Sequence, residues 1–179
     1  MNTQTLLSIV ADQREELLAN DYSELCPRPE ESQLDLKSNR AQVVIGVRRC
    51  GKSTLCEMFL KQKGIDFAYV NFDDDRMEDM KASDLDHLLE ALYKYLFLDE
   101  IQNIEGWPLF VNRLLRQKIH LFITGSNSKL LSKELSTHLT GRNNKVELYP
   151  FSYSEYCAMK NIDTTSLSTK AKGIRKSTL

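Results

Sequence analysis

One stretch constrains the fold of this chain more than any other: Ala41 to Leu55, which reads AQVVIGVRRCGKSTL. A short β-branched run, Val43-Val44-Ile45, leads into Gly46-Val47-Arg48-Arg49-Cys50-Gly51-Lys52-Ser53, the G-x-x-x-x-G-K-S pattern of a phosphate-binding P-loop. The β-branched run predicts a strand that carries the chain to one end of a sheet. Gly46 and Gly51 permit a tight turn and bring backbone N–H groups close to a ligand, where a Cβ would collide. The apolar periodicity after the motif predicts a helix, whose first turn has unpaired N–H donors and partial positive charge and so attracts phosphate. Lys52 is expected to reach the β- and γ-phosphates of a nucleotide, and the Ser53 hydroxyl to bind Mg²⁺. Thr54 falls just inside the helix. Arg49 and Cys50 belong to the loop itself and count among its nucleotide-binding residues. The Cys50 side chain reads as a small filler rather than a redox group.

The rest of the chain alternates between strand and helix signals. An amphipathic helix is expected over Thr5 to Ala19, with Leu6, Leu7, Ile9, Val10, Leu17 and Leu18 as its apolar residues. Cys26-Pro27-Arg28-Pro29 reads as a linker. After the P-loop, Leu55, Met58 and Phe59 mark the buried face of a helix stopped by Gly64. A second strand follows at Phe67 to Phe72, ending in Asp73-Asp74-Asp75. Ser83 or Asp84 could cap a helix carrying Leu85, Leu88, Leu89 and Leu92. Tyr95-Leu96-Phe97-Leu98 predicts a buried parallel strand, ending in Asp99-Glu100. Pro108 suits the first turn of the next helix, with Phe110, Val111, Leu114 and Leu115 inward. His120 to Thr124 is a fourth strand, running into Gly125-Ser126-Asn127. Leu131, Leu135 and Leu139 space out a further helix closed by Gly141, and Val146 to Leu148 is a fifth strand. Ser152 to Glu155 forms an S-x-x-E capping box for a last helix.

This order predicts an α/β fold: a parallel five-stranded sheet with helices on both faces, a three-layer αβα sandwich of the P-loop NTPase kind. The expected organisation is an N-terminal helix and linker over 1–40, a core over 41–160, and a poorly ordered tail over 161–179. Ligands of such sheets bind at the carboxyl ends of the strands. The P-loop, Asp73 to Asp75, Asp99-Glu100 and Ser126-Asn127 all follow strands, so all are expected on one rim.

Asp99 is the expected Walker B aspartate, on the metal side of the site with Ser53. Glu100 beside it can orient and deprotonate an attacking water. The adjacent Asp-Glu favours the ATPase branch in which an extra strand lies between the P-loop strand and the Walker B strand. Ser126 or Asn127 could hydrogen-bond the γ-phosphate or the water, or could instead cap a helix. Arg142, in Leu139-Thr140-Gly141-Arg142, could stabilise transition-state charge in its own site or a neighbour's, or could be a solvated residue after a helix end. Arg48 and Arg49 could touch a phosphate or pair with Asp73 to Asp75.

Composition narrows the partners. The 179 residues are 41% hydrophobic, enough for a core, and carry a net charge of −1. No bulk attraction to nucleic acid or to a membrane surface is expected. The tail holds Lys170, Lys172, Arg175 and Lys176, too little charge to make nucleic acid an expected partner of this chain alone. Four scattered cysteines, Cys26, Cys50, Cys56 and Cys157, form no C-x-x-C pair and suit a reducing cytoplasm. The acidic N-terminus lacks the apolar core of a signal peptide, and no apolar run approaches membrane-spanning length.

Taken together, GVRRCGKSTL, YVNFDDDR, YLFLDEIQNIEGW, ITGSNSKLLS, LTGR and ELYPFSYSEY, in that order, resemble the prokaryotic AAA+-like ATPases that carry a C-terminal domain of unknown function. The likeness runs from about Ala11 to Cys157. It implies an ATP-binding, ATP-hydrolysing core with strand order 5-1-4-3-2. It also implies that Gly46, Gly51, Lys52, Ser53 and Thr54 contact phosphate and Mg²⁺, with Asp99 as the metal-side acid and Glu100 as the base. Two departures stand out. Relatives continue past the position of Leu179 into a lid and the C-terminal domain, which would carry a second sensor arginine and the effector. The helix ending near Leu92 also runs almost directly into the strand at Tyr95, where connections usually take about 2–6 residues. Three functions are therefore weighed: an ATPase core, a nucleotide-binding switch or interaction module with little turnover, and a small-molecule kinase. Self-assembly and an effector domain beyond this chain are left open.

Overall fold

The computed structural model describes residues 3–23, 25–81, 84–85, 94–126 and 135–162. Two compact units divide the chain, Met1–Leu148 and Tyr149–Leu179. In the first, five strands form one parallel sheet: β1 (Ala41–Gly46), β2 (Ala68–Asn71), β3 (Tyr95–Asp99), β4 (His120–Ser126) and β5 (Asn143–Leu148). Their order is β2-β3-β4-β1-β5, the arrangement the resemblance implies, with β3 and β4 separating β1 from β2. The helices are α1 (Thr3–Ala19), α2 (Lys52–Gln62), α3 (Trp107–Arg116) and a single turn, α4 (Leu135–His138).

Strand side chains alternate between faces, and here they divide into two cores. Val43 and Ile45 of β1, Leu98 of β3 and Ile123 of β4 pack with Trp107, Phe110 and Leu114 of α3. Val44, Phe97 and Phe122, one residue out of phase, pack with Leu55 and Phe59 of α2 and with Val146 and Leu148 of β5. The three central strands are buried on both sides and read as unbroken apolar runs for that reason.

Helix α1 belongs to both cores. Leu6 and Ile9 join the α3 side, and Leu17 joins the α2 side. Between them Gln13, 2% exposed, meets the edge of β2. Its amide donates to the Asn71 carbonyl at 3.1 Å and accepts from the Asn71 N–H at 3.0 Å. A side chain thus takes the place of a sixth strand at that position. Leu7 and Leu18, expected on the apolar face, point outward at 43% and 59% exposure. The buried stripe is Leu6, Ile9, Gln13 and Leu17, with a polar residue in it because it faces backbone.

Pro108 lies in the first turn of α3, as its fixed φ favours. The second unit contains α5 (Tyr153–Met159), opened by the expected capping box of Ser152 and Glu155. Several expectations fall outside the described residues: the helix through Leu88, Leu89 and Leu92 with its short connection, Asn127, Leu131, and the tail from 163.

Candidate functional site

The carboxyl ends of β1, β3 and β4 bring the site together. Gly46 pairs in register with Ser126, so the P-loop leaves the sheet beside the end of β4. Gly46 has a different justification from the one its motif suggests. A Cβ there would stand 2.2 Å from the Leu148 carbonyl oxygen and 2.7 Å from Cys50 Sγ, so β5 and the loop's own cysteine exclude a side chain. Gly51 has open space around its missing Cβ, but its φ of +93° is left-handed. Arg49 also has positive φ, 67°. These backbone angles turn the loop into α2. Gly51 offers no side-chain cap, which leaves first-turn N–H groups of α2 for an anion.

Cys50 is buried, as expected of a filler, and burial pushes its thiol pKa up. Arg48 takes the second of its two expected roles and pairs with Asp73 at 2.9 Å. Arg49 is exposed.

Two pairs join the loop to the end of β3. Ser53 Oγ donates to Asp99 Oδ1 at 2.8 Å across 46 residues of sequence. Lys52 Nζ lies 3.2 Å from Glu100 Oε1 and 3.3 Å from the Val47 carbonyl oxygen. The Lys52 residue is only 4% exposed, so its charge is held by these oxygens.

Asp99 is 5% exposed and takes two further hydroxyl donors. Tyr69 Oη donates to Oδ2 at 3.0 Å, and Thr124 Oγ1 makes a short bond to Oδ1. Burial pushes the Asp99 pKa up, and the donors from Thr124, Ser53 and Tyr69 only partly offset this. Neither Tyr69 nor Thr124 stood out in the sequence as more than a strand residue. A hydroxyl on a buried strand next to acid-bearing strands is the signal that could have found them. Ser53 and Asp99 together present only oxygen donors, the set a small hard cation such as Mg²⁺ accepts.

Glu100 sits on the bend after β3 with φ 52°, a left-handed angle that costs a non-glycine residue about 1–2 kcal/mol. The carboxylate is held from several sides. Oε2 accepts from the Ser126 N–H at 2.8 Å and from Gln102 Nε2 at 2.6 Å. The Glu100 N–H donates to Thr124 Oγ1 at 3.0 Å, so Thr124 ties both acids to β4. Burial works to raise the Glu100 pKa, but the Gln102 amide, the Ser126 N–H and the Lys52 ammonium outweigh it, and the group titrates below its ordinary value. Ser126 thus serves the carboxylate chiefly through its main chain, with a smaller contribution from its hydroxyl.

Arg142 is elsewhere. It immediately precedes β5, whose first residue pairs with Ala41 at the opposite end of β1 from the P-loop. Six strand residues separate the two rims, about 20 Å at 3.3 Å per residue. Its guanidinium donates to Asn112 Oδ1 at 3.1 Å. This placement counts against the expectation that it serves its own site; two readings remain, a neighbour's site and a solvated residue after the helix end, and the residue is exposed.

A family model described as an AAA domain matches residues 38–157. The chain is 41% identical over 137 residues to the uncharacterized protein MJ1544 of Methanocaldococcus jannaschii, covering 73% of this chain and 31% of that protein. It is 38% identical over 139 residues to an uncharacterized protein of Haemophilus influenzae, covering 70% of this chain and 35% of that one. The chain spans about a third of the length of these curated relatives. Among solved structures it is similar to the Thermotoga maritima RuvB Holliday junction branch migration motor, with TM-score 0.47 and 20% identity, over 72% of this chain and 44% of that one.

Proposed function

The chain belongs to the AAA domain family, and from that premise we propose that it is the nucleotide-binding core of an ATPase that takes Mg·ATP. The reading is carried by one observation. The Ser53–Asp99 and Lys52–Glu100 pairs put the two motifs of the sequence in contact at one rim of the sheet. Gly46 to Thr54 receive the phosphates, and Lys52 exchanges its carboxylate partner for phosphate oxygens. Ser53 and Asp99 would hold Mg²⁺, which when bound would neutralise phosphate charge. Glu100 takes the proton of the attacking water. Thr124 and Tyr69 keep the two acids oriented.

The test is calorimetric titration with Mg·ATP, followed by phosphate release. The wild-type chain should bind in the micromolar range, Lys52→Ala should abolish binding, and Glu100→Gln should bind without turning over. No heat at saturating Mg·ATP would refute the reading.

A second reading, a nucleotide-controlled switch with little turnover, is favoured by the place of Arg142. If a residue on the far rim serves a site, it is that of another copy, and an isolated chain would then lack that positive charge at its γ-phosphate. Turnover that rises with protein concentration and is lost in Arg142→Ala would reconcile the two. Concentration-independent turnover would dismiss the role of Arg142.

A further inference from the structure

The two oxygens of the Glu100 carboxylate have different partners. Oε1 faces the Lys52 ammonium at 3.2 Å, and Oε2 accepts from Gln102 Nε2 and the Ser126 N–H. Only the first of these partners has a reason to leave when a polyphosphate arrives. We propose that Gln102 is the positioning residue for Glu100: it anchors Oε2, so that Oε1, once released by Lys52, is the oxygen presented to water. This rests on the reading of Glu100 as the base.

The surroundings of Gln102 suit an anchor. It lies in the one-turn 3-10 segment Ile101–Asn103. Ile101 is fully buried in the core, and the Asn103 amide donates to the Phe72 carbonyl at 3.0 Å, so both neighbours pin the turn. The orientation of the amide follows from chemistry, because an ionised carboxylate only accepts and Nε2 must face it. At 2.6 Å the contact is close, and its acceptor is charged. The same Nε2 stands 3.5 Å from Ser126 Oγ, which links the turn to β4. Gln102 Oε1 is buried without a protein donor among the described residues. An amide used only for packing would carry that cost to no purpose, since an apolar side chain of the same length avoids it.

In the reaction the water oxygen forms a bond to the γ-phosphorus. The bond from that phosphorus to the β,γ-bridging oxygen breaks, and its electron pair leaves with ADP. The water proton passes to Glu100 Oε1 and then to solvent. A carboxylate free to rotate would present its acceptor in many directions. One fixed through Oε2 presents it in one, and such orientation is part of what a site contributes to rate.

The experiment compares wild type, Gln102→Met and Gln102→Glu in the full chain. Dissociation constants for Mg·ATP and turnover numbers are measured alongside the side-chain amide resonance of Gln102. Gln102→Met should lower turnover about 10–100-fold, the range for removing a residue that orients a ligating or reacting group, with the dissociation constant within twofold of wild type. Gln102→Glu, nearly identical in shape, should be worse than Gln102→Met, because it sets a second carboxylate against Oε2. A packing role predicts the reverse ranking. In the wild type, the Gln102 amide proton should stay shifted downfield both without nucleotide and with a non-hydrolysable Mg·ATP analogue, and should lose the shift in Glu100→Ala. Loss of the shift on adding the analogue would overturn the proposal, as would Glu equal to or better than Met at position 102. A wild-type chain that binds Mg·ATP without turnover would also overturn it, leaving nucleotide binding intact; a chain that binds no Mg·ATP would remove the functional reading itself.

Discussion

The Lys52 ammonium is neutralised by Glu100 at 3.2 Å, so the residue expected to grip phosphate is already engaged by the residue expected to activate water. Nucleotide must therefore compete with an internal carboxylate. A charge-assisted bond of this kind is worth about 1.5–3 kcal/mol. Glu100→Gln should consequently tighten Mg·ATP binding, by about tenfold if 1.4 kcal/mol of the pair is released, while removing turnover. Titration of both proteins with the same nucleotide decides the matter, and weaker binding by the variant would contradict it.

The two P-loop glycines should fail in different ways. Gly51→Ala incurs the left-handed penalty of about 1–2 kcal/mol but meets no atom within 4 Å. Gly46→Ala drives a methyl into the Leu148 carbonyl and Cys50 Sγ, so β5 or the loop must shift. Denaturant melts should show the larger loss for Gly46→Ala. Equal losses would mean that β5 yields freely.

Gln13→Leu should destabilise the chain although it adds apolar surface. It strips the Asn71 N–H and carbonyl of their partners at the edge of β2. An unsatisfied buried group costs about 1–3 kcal/mol, and at about 2–4 °C per kcal/mol for a chain of this size the melting temperature should drop by several degrees. A thermal melt reads this directly.

Acid should remove one stabilising contribution. The Arg76 guanidinium, with the Gln13 amide and the Arg76 N–H, holds the Asp74 carboxyl far below its usual range, against the opposing effect of burial. A carboxyl whose folded pKa is depressed stabilises the fold above its unfolded value, about 3.9, and loses that contribution as pH falls towards the folded one. Asp74→Asn should thus be less stable than wild type at pH 7, and the gap should narrow below about pH 4. Urea melts at pH 7 and pH 3 would show it; a gap independent of pH would argue against it.

The P-loop and the two acids after β3 were legible because each is written in consecutive residues with a fixed mechanical meaning, whereas the full strand order came only from what the family resemblance implies. The central strands are buried on both faces and so announce themselves as apolar runs. The supporting residues were not legible for the complementary reason. Tyr69, Thr124 and Gln102 act across 30, 25 and 2 residues respectively. The first two matter only once strands are laid side by side, and the third only once the backbone turns left-handed at Glu100. Arg142 misled because its neighbourhood reads like a loop near the ligand, and only the register of β5 against β1 puts it at the far end. Gln13 was missed because a polar residue in an apolar stripe looks like an interruption until the strand edge it meets is known.

Helix α1 crosses from one side of the sheet to the other over β2, with Gln13 at the crossing. That flank is therefore closed to recruitment: a foreign polypeptide seeking to zip onto β2 would find Asn71 already bonded and a helix across its path. Growth of the sheet by an added strand is thereby refused at this edge, and β2 stays its last strand.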